Sequence, residues 1–289
     1  MDDREERLTR AVYQIGAERG RRRVAPPNPF SEGMIISVDK PLGWTSFDLV
    51  NLFRRLACTE LNLKRLKVGH TGTLDPLATG VIVLCTGRFT KRIEELQDHD
   101  KCYEATIRLG ATTPSFDLEH SIDAFYTYDH LTEEEIRTAL LSYEGEIDQV
   151  PPAYSAAKIA GERAYMIARR GDEVELPAKR VRFDRIELLS YEAPLARVRV
   201  TGGKGIFIRA LARDLGEQLG CGAHLTRLRR TRVGDRSVED CIRPEDFESF
   251  IRQTLDVYAS VHQTDLRRGG IVLRLRGRID KINFRDTDI

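Results

Sequence analysis

A run rich in glycine and threonine, Gly69-His70-Thr71-Gly72-Thr73-Leu74-Asp75-Pro76-Leu77-Ala78-Thr79-Gly80, passes directly into Val81-Ile82-Val83-Leu84-Cys85. The second segment is continuously apolar and of strand length, the pattern of a strand buried on both faces. Flanked by Val68 and by such a strand, the run is expected to lie against the core rather than swing free. Asp75 precedes proline, which biases it to extended backbone and can point its carboxylate away from any helix. From the dipeptide alone Asp75-Pro76 is an ordinary turn, and a lone His70 beside glycines is an ordinary hydrogen-bonded packing residue. No second His or Cys stands at ligand spacing, so no metal is expected here. No phosphate-cradling glycine pattern occurs either, which leaves Gly202-Gly203-Lys204-Gly205 as a turn.

The neighbouring segments mix strands and helices. Residues 1–33 read as an N-terminal extension: a weakly amphipathic stretch from Leu8 to Ile15, the basic Arg21-Arg22-Arg23, then Pro26-Pro27-Asn28-Pro29, which fixes extended backbone and blocks a helix. It is either a disordered tail or an arm touching phosphates. Ordered structure is expected from Gly33, with a strand at 34–38, a turn at 40–44 and a helix from Phe47 to about Leu56 capped by Ser46. Tyr103 to Leu109 alternates with period two, the mark of a half-buried strand. Thr132 and Glu135 form a capping box for a helix to about Ser142. Arg163–Arg170 reads as a short helix, Val181–Leu189 and Leu195–Thr201 as paired strands, Ile208–Leu219 as a helix ended by Gly220, and Pro244–Ile251 as the last helix of the compact region. The order lacks regular βα alternation, so the expected class is α+β around a mixed, mostly antiparallel sheet. Residues 34–251 form the expected domain, and 252–289 a short basic extension with a small hairpin turning at Gly277.

The 289 residues carry 46 Lys and Arg against 45 Asp and Glu, a net charge of +1 that gives no hint of a polyanionic partner. The distribution is uneven. Residues 204–236 sum to +5, residues 129–150 to −6 and residues 266–289 to +4. One such run is an ordinary solvated face, but two basic blocks offset by an acidic one suit a polyanion held on one side. The five cysteines form no CxxC pair, which fits reduced thiols. The N-terminus lacks an apolar signal core and no run is long enough to span a membrane, so the expected location is the cytoplasm, with no membrane partner.

The loop GHTGTLDPLATG, with KPLGWTS (40–46) before it and DKCYEATIRLG (100–110) after it, closely resembles the motifs of the TruB family of tRNA pseudouridine synthases. PPAYSAAKIAGERAYMIARRG (151–171), GGKGIFIRALARDLGEQLG (202–220) and CGAHLTRLRRTRVG (221–234) extend the resemblance over about residues 34–251 in the family's order. It implies the pseudouridine synthase fold and isomerisation of uridine to pseudouridine at position 55, in the T-stem-loop of tRNA. It implies Asp75 as the catalytic carboxylate, Tyr103 stacking on a flipped base, Arg209 pairing with the carboxylate and Asp117 as a second acid. Leu228 corresponds to an apolar pocket residue, and Lys40 and His70 to RNA-contacting or pocket-edge residues. Phe207 stands where the family usually has tyrosine and keeps only a stacking role. Arg227, Arg229 and Arg230 are expected to contact RNA. The reaction consumes no cofactor or metal, and the enzyme is expected to be a monomer. The alternatives from other classes are a tRNA-folding chaperone with secondary catalysis, and a guide-RNA particle subunit, for which the forty or so residues after Ile251 are too few to make the usual RNA-binding domain.

Overall fold

A computed structural model describes residues 28–264, apart from 156, 157, 160 and 173. The arm at 1–27, including Arg21–Arg23, and the basic tail with its expected hairpin at Gly277 lie outside the described residues. Order begins earlier than Gly33. Asn28 caps a short helix, α1 (Pro29–Glu32), by accepting from the Ser31 amide at 2.9 Å. Pro29 sits in its first turn, where a missing N–H costs nothing. Phe30 is fully buried, so Asn28-Pro29, read as blocking a helix, is the start of one.

Next come β1 (Ile35–Lys40), α2 (Ser46–Glu60), β2 (Val68–His70) and β3 (Ala78–Thr86). The expected Ser46 cap is corrected by one residue. Thr45 accepts from the Asp48 amide and Asp48 returns a bond to the Thr45 amide, a reciprocal box worth about 1 kcal/mol. Ser46, one position inside, is thereby free to serve the loop before β3. The chain continues through α3 (Ile93–Gln97), β4 (Lys101–Leu109), β5 (Ala111–Thr112), β6 (Ala124–Phe125), α4 (Glu133–Leu141) and β7 (Gly145–Gln149). The Thr132–Glu135 box caps α4 as expected. A small excursion of β8 (Lys158–Ile159), β9 (Glu162–Arg163) and α5 (Ala164–Arg169) precedes β10 (Lys179–Glu192), β11 (Leu195–Gly202), α6 (Ile208–Gln218), β12 (Ala223–Val233), β13 (Arg236–Ser237) and α7 (Phe247–Thr264). The last helix therefore runs well past Ile251, where the compact region was expected to end.

The main sheet has the order β1-β3-β12-β4-β11-β10-β7, with β2 against β3 and β13 against β12. Its ladders are antiparallel except β3 with β12, which run parallel from Leu228 opposite Ala78 to Arg230 opposite Gly80. β12 is thus the seam between a β1-β2-β3 half and a β4-β11-β10-β7 half. On the first half Phe53 of α2 packs edge-on to Phe30 and Phe247, centroids 5.7 and 5.2 Å away, and α7 closes over it. On the second half, α4 and α6 cover a cluster built on Ile107, Phe183, Val198 and Leu211. β3, apolar on both faces as its sequence indicated, is buried almost throughout. Among the described residues all five cysteines are free thiols, and no helix is long and apolar enough to cross a membrane.

Candidate active site

The loop between β2 and β3 is tied down along its length. The Thr71 amide donates to Val83 O at 3.0 Å and the Ala78 amide to Asp75 O at 3.0 Å. Ser46 Oγ accepts from the Leu74 amide at 2.9 Å and donates to Leu74 O at 3.1 Å. The Gly43 amide reaches Pro76 O at 2.9 Å. Gly80 has a φ of 107°, and a Cβ there would lie 2.1 Å from the Arg230 carbonyl oxygen, so only glycine lets β3 approach β12 this closely.

Lys40 completes this scaffold and corrects an expectation. Its ammonium donates to Pro41 O, Trp44 O and Pro76 O at 3.0, 2.6 and 3.3 Å, and its side chain is 0% exposed. It cannot contact RNA from there; it binds the KPLGWT turn to the Asp75 loop. Burial pushes its pKa down to about 8, with Asp75 partly opposing the shift.

Asp75 projects from this frame with 36% of its side chain exposed. Arg209, in the first turn of α6 and only 4% exposed, places Nε 2.9 Å from Asp75 Oδ2 and 3.6 Å from Asp117 Oδ2. The Nε contacts are ion pairs without hydrogen-bond alignment, whereas Nη1 donates to Ser115 O at 3.1 Å and Nη2 to Tyr154 O at 2.9 Å. A buried guanidinium facing two carboxylates holds Asp75 in one orientation. Asp117 is itself fixed, its Oδ1 accepting from Ser115 Oγ at 2.6 Å and from the Glu119 amide at 2.9 Å.

Asp75, Asp117 and Arg209 line a small cleft with Leu77, Leu118, Thr226 and Leu228, enclosing about 290 Å³ of empty space open to solvent. Leu228 and Arg227 are therefore in the cleft wall. Tyr103 is not: it is buried in the same core cluster as Leu74 and Ala78. His70 is half-buried at the end of β2; its Nδ1 accepts from the Gly72 amide at 3.3 Å, and burial together with Arg230 lowers its pKa, which keeps the ring neutral.

Phe207, like Tyr103, does not place its ring in the cleft wall. Its backbone is held at both ends by buried Gln149, which accepts from the Phe207 amide at 2.9 Å and donates to the Phe207 carbonyl at 3.2 Å. The residue sets where α6, and hence Arg209, begins.

The arginines of β12 divide. Arg230 is 3% exposed and donates to Val81 O at 2.7 Å and Gly72 O at 3.3 Å, so it is a strut and not an RNA contact. Arg229 pairs with Asp39 at 2.8 Å. Arg227 alone of the three is exposed without an ion-pair partner among the described residues.

Elsewhere, Arg65, Lys67, Arg88 and Lys91 ring a groove of about 540 Å³ with Ser31, Leu66, Gly87 and Thr90. All four cations are exposed and none has an ion-pair partner among the described residues. Sequence reading passed over them, although Lys64-Arg65-Leu66-Lys67 and Arg88…Lys91-Arg92 are visible as short basic runs. Arg65 and Lys67 precede β2, whose far end opens into the Asp75 loop.

Two family models match the chain: the TruB family pseudouridylate synthase N-terminal domain over residues 59–208, and the tRNA pseudouridylate synthase B C-terminal domain over residues 209–268. Proteins named tRNA pseudouridine synthase B are similar over most of the chain. That of Bacteroides thetaiotaomicron is 56% identical, covering 78% of this chain and 97% of its own. That of Flavobacterium johnsoniae is 43% identical, covering 78% of this chain and 99% of its own. Among solved structures, a chain of a Cbf5-Nop10-Gar1 complex is 28% identical with a TM-score of 0.59; the match covers 79% of this chain and 57% of that one.

Proposed function

The chain belongs to the TruB family of tRNA pseudouridine synthases, and on that premise we propose that it isomerises uridine 55 in the T-loop of tRNA with Asp75 as the reacting carboxylate. The observation that carries the reading is the Asp75–Arg209 pair at 2.9 Å, a partly exposed carboxylate at a cleft held in place by a buried guanidinium. Isomerisation exchanges the glycosidic bond at N1 for one at C5, so the carboxylate has to act as nucleophile or base on a base detached from its stack. The loop restraints from Lys40 and Ser46 hold it ready without reorganisation at the moment of reaction. Extrusion of the base costs a few kcal/mol, which contacts in the pocket have to offset. Leu228 offers the apolar wall. Tyr103, packed in the cluster with Ala78, is the aromatic on which the base stacks once it enters, a contact worth about 1–3 kcal/mol. His70 fills space left by the extruded base, a role that does not require it to titrate.

The phosphate contacts are assigned to Arg65, Lys67, Arg88 and Lys91 with Arg227 at the cleft, in place of the whole β12 block. The test is to map pseudouridine in a tRNA transcript treated with the purified protein. Wild type is expected to modify position 55, and Asp75→Asn to form no product while its tRNA affinity stays within about threefold of wild type, as for a residue acting only in the chemical step. Product formed by Asp75→Asn at a substantial rate would remove the carboxylate from its role; folding of tRNA without isomerisation by wild type would favour the chaperone reading.

A further inference from the structure

Arg209 and Arg213 stand one turn apart on α6, and each reaches the same two loops. Arg209 binds Ser115 O and Tyr154 O. Arg213 donates to Val150 O at 3.1 Å and lies over the Phe116 ring, 5.2 Å from its centroid. Asp214 holds the Arg213 guanidinium from its other edge, with Nε 2.7 Å from Oδ1. The inner rung belongs to the cleft, whereas neither Arg213 nor Phe116 lines it.

Phe116 immediately precedes Asp117, and its φ is +60°. Among the described residues only Asn62 is another non-glycine with positive φ. A bulky side chain resists that conformation, and such residues persist where surrounding contacts hold them, commonly at functional sites. Here the Phe116 amide donates to Thr113 O at 3.1 Å, its carbonyl accepts from the Leu225 amide at 2.9 Å, and Arg213 covers the ring. The turn decides where Asp117 points. With Oδ1 occupied by Ser115 and Glu119, Oδ2 faces Arg209 Nε at 3.6 Å, while Asp75 takes the closer position at 2.9 Å. Two carboxylates compete for one nitrogen, and the setting of the turn decides the division.

We propose that Phe116 and Arg213 are a positioning pair for the isomerisation: the cation over the ring holds the turn that keeps Asp117 at a distance from Arg209 and leaves the closer contact to Asp75. The proposal rests on reading Asp75 as the reacting carboxylate.

Forming the C5 bond expels the C5 hydrogen, so a tRNA transcript tritiated at uridine C5 reports the chemistry by tritium release. Single-turnover rates at saturating full-length enzyme separate chemistry from binding, and tRNA affinity is read by filter binding. Phe116→Leu and Arg213→Ala are each expected to slow single turnover about tenfold, as a misaligned catalytic group does, with tRNA affinity within about twofold of wild type. The double variant is expected to be no slower than either single variant, because the two act as a unit, and Phe116→Tyr is expected to restore the rate. Phe116→Gly relaxes the backbone while removing the ring, so it guards against a folding failure and is also expected to be slow. Wild-type rates in Phe116→Leu and Phe116→Gly, a loss that follows tRNA affinity or Tm, or additive losses in the double variant would overturn the pair while leaving the function intact. A wild-type protein that releases no tritium would instead overturn the function, and the pair with it.

Discussion

The two basic regions of this protein use their charge in opposite ways. In residues 204–236 seven of the eight cations are engaged inside the molecule: Lys204 with Asp98, Arg209 with Asp75, Arg213 with Asp214, Arg229 with Asp39, Arg230 with Val81 O and Gly72 O, Arg232 with Gly234 O and Arg236 with Ser37. Arg227 alone of the eight has no such partner among the described residues. Around the groove, Arg65, Lys67, Arg88 and Lys91 have no such engagements among the described residues. Charge density along a chain therefore says little about charge available to a partner. A central strand has neighbours on both sides that consume its arginines, while short loops at the sheet margin leave theirs in solvent.

Three variants would break or sharpen this contrast. Arg230→Ala should have the largest effect on stability, because it strips the buried Val81 carbonyl and the partly buried Gly72 carbonyl of a charged donor. A loss of about 3 kcal/mol or more is expected, read as a Tm lower by about 6–12 °C at roughly 2–4 °C per kcal/mol. An unchanged Tm would return Arg230 to the outward-facing group. Lys67→Glu combined with Lys91→Glu comes next: tRNA affinity should fall about 100-fold at low salt, with a log K against log salt slope shallower by about 1.5–2, and Tm unchanged. Arg227→Ala should cost only a few-fold in the same assay. Equal losses from the two would erase the distinction between groove and strand.

A pH-dependent effect, absent below about pH 8, concerns Lys40, the most deeply engaged cation. Its folded pKa of about 8 lies below the ordinary 10.5. Between these values the unfolded chain binds more protons than the folded one, so stability rises with pH across that window and is insensitive to this group below it. Wild type should gain on Lys40→Met by at most ~1.4 kcal/mol per pH unit between about pH 8 and 10.5, measured by urea denaturation. A constant difference would mean that the ammonium is not buried as charge.

Much of the architecture was legible because it rests on local signals. The apolar run of β3, the alternation of β4 and the Thr132–Glu135 box each specify their element without distant neighbours. The α6 motif likewise placed Arg209 at a helix start, and its meeting with Asp75 followed from the motif resemblance. What escaped was set by alternatives of nearly equal local merit or by tertiary neighbours. Thr45 and Ser46 are adjacent hydroxyls, and only the position of Leu74 decides which caps the helix and which holds the loop. Lys40 looks like a surface lysine until the three carbonyls around it are seen together. Phe116 carries no glycine or asparagine signal for its positive φ, because the restraint comes from Arg213 almost a hundred residues later.

The position of β12 at the seam also orders events in time. During synthesis β1 to β3 emerge early and β4, β10 and β11 in the middle, yet the two halves share no ladder until residues 223–233 arrive between them. Leu228, Arg227 and the Arg230 strut all come with that strand, as does the wall of the cleft. A nascent chain halted before residue 223 has Asp75 and its two half-sheets but no complete cleft beside them. Pairing β3 with residues 150 positions downstream is a slow, non-local closure, so the cleft is completed at one of the last steps of the protein's own assembly.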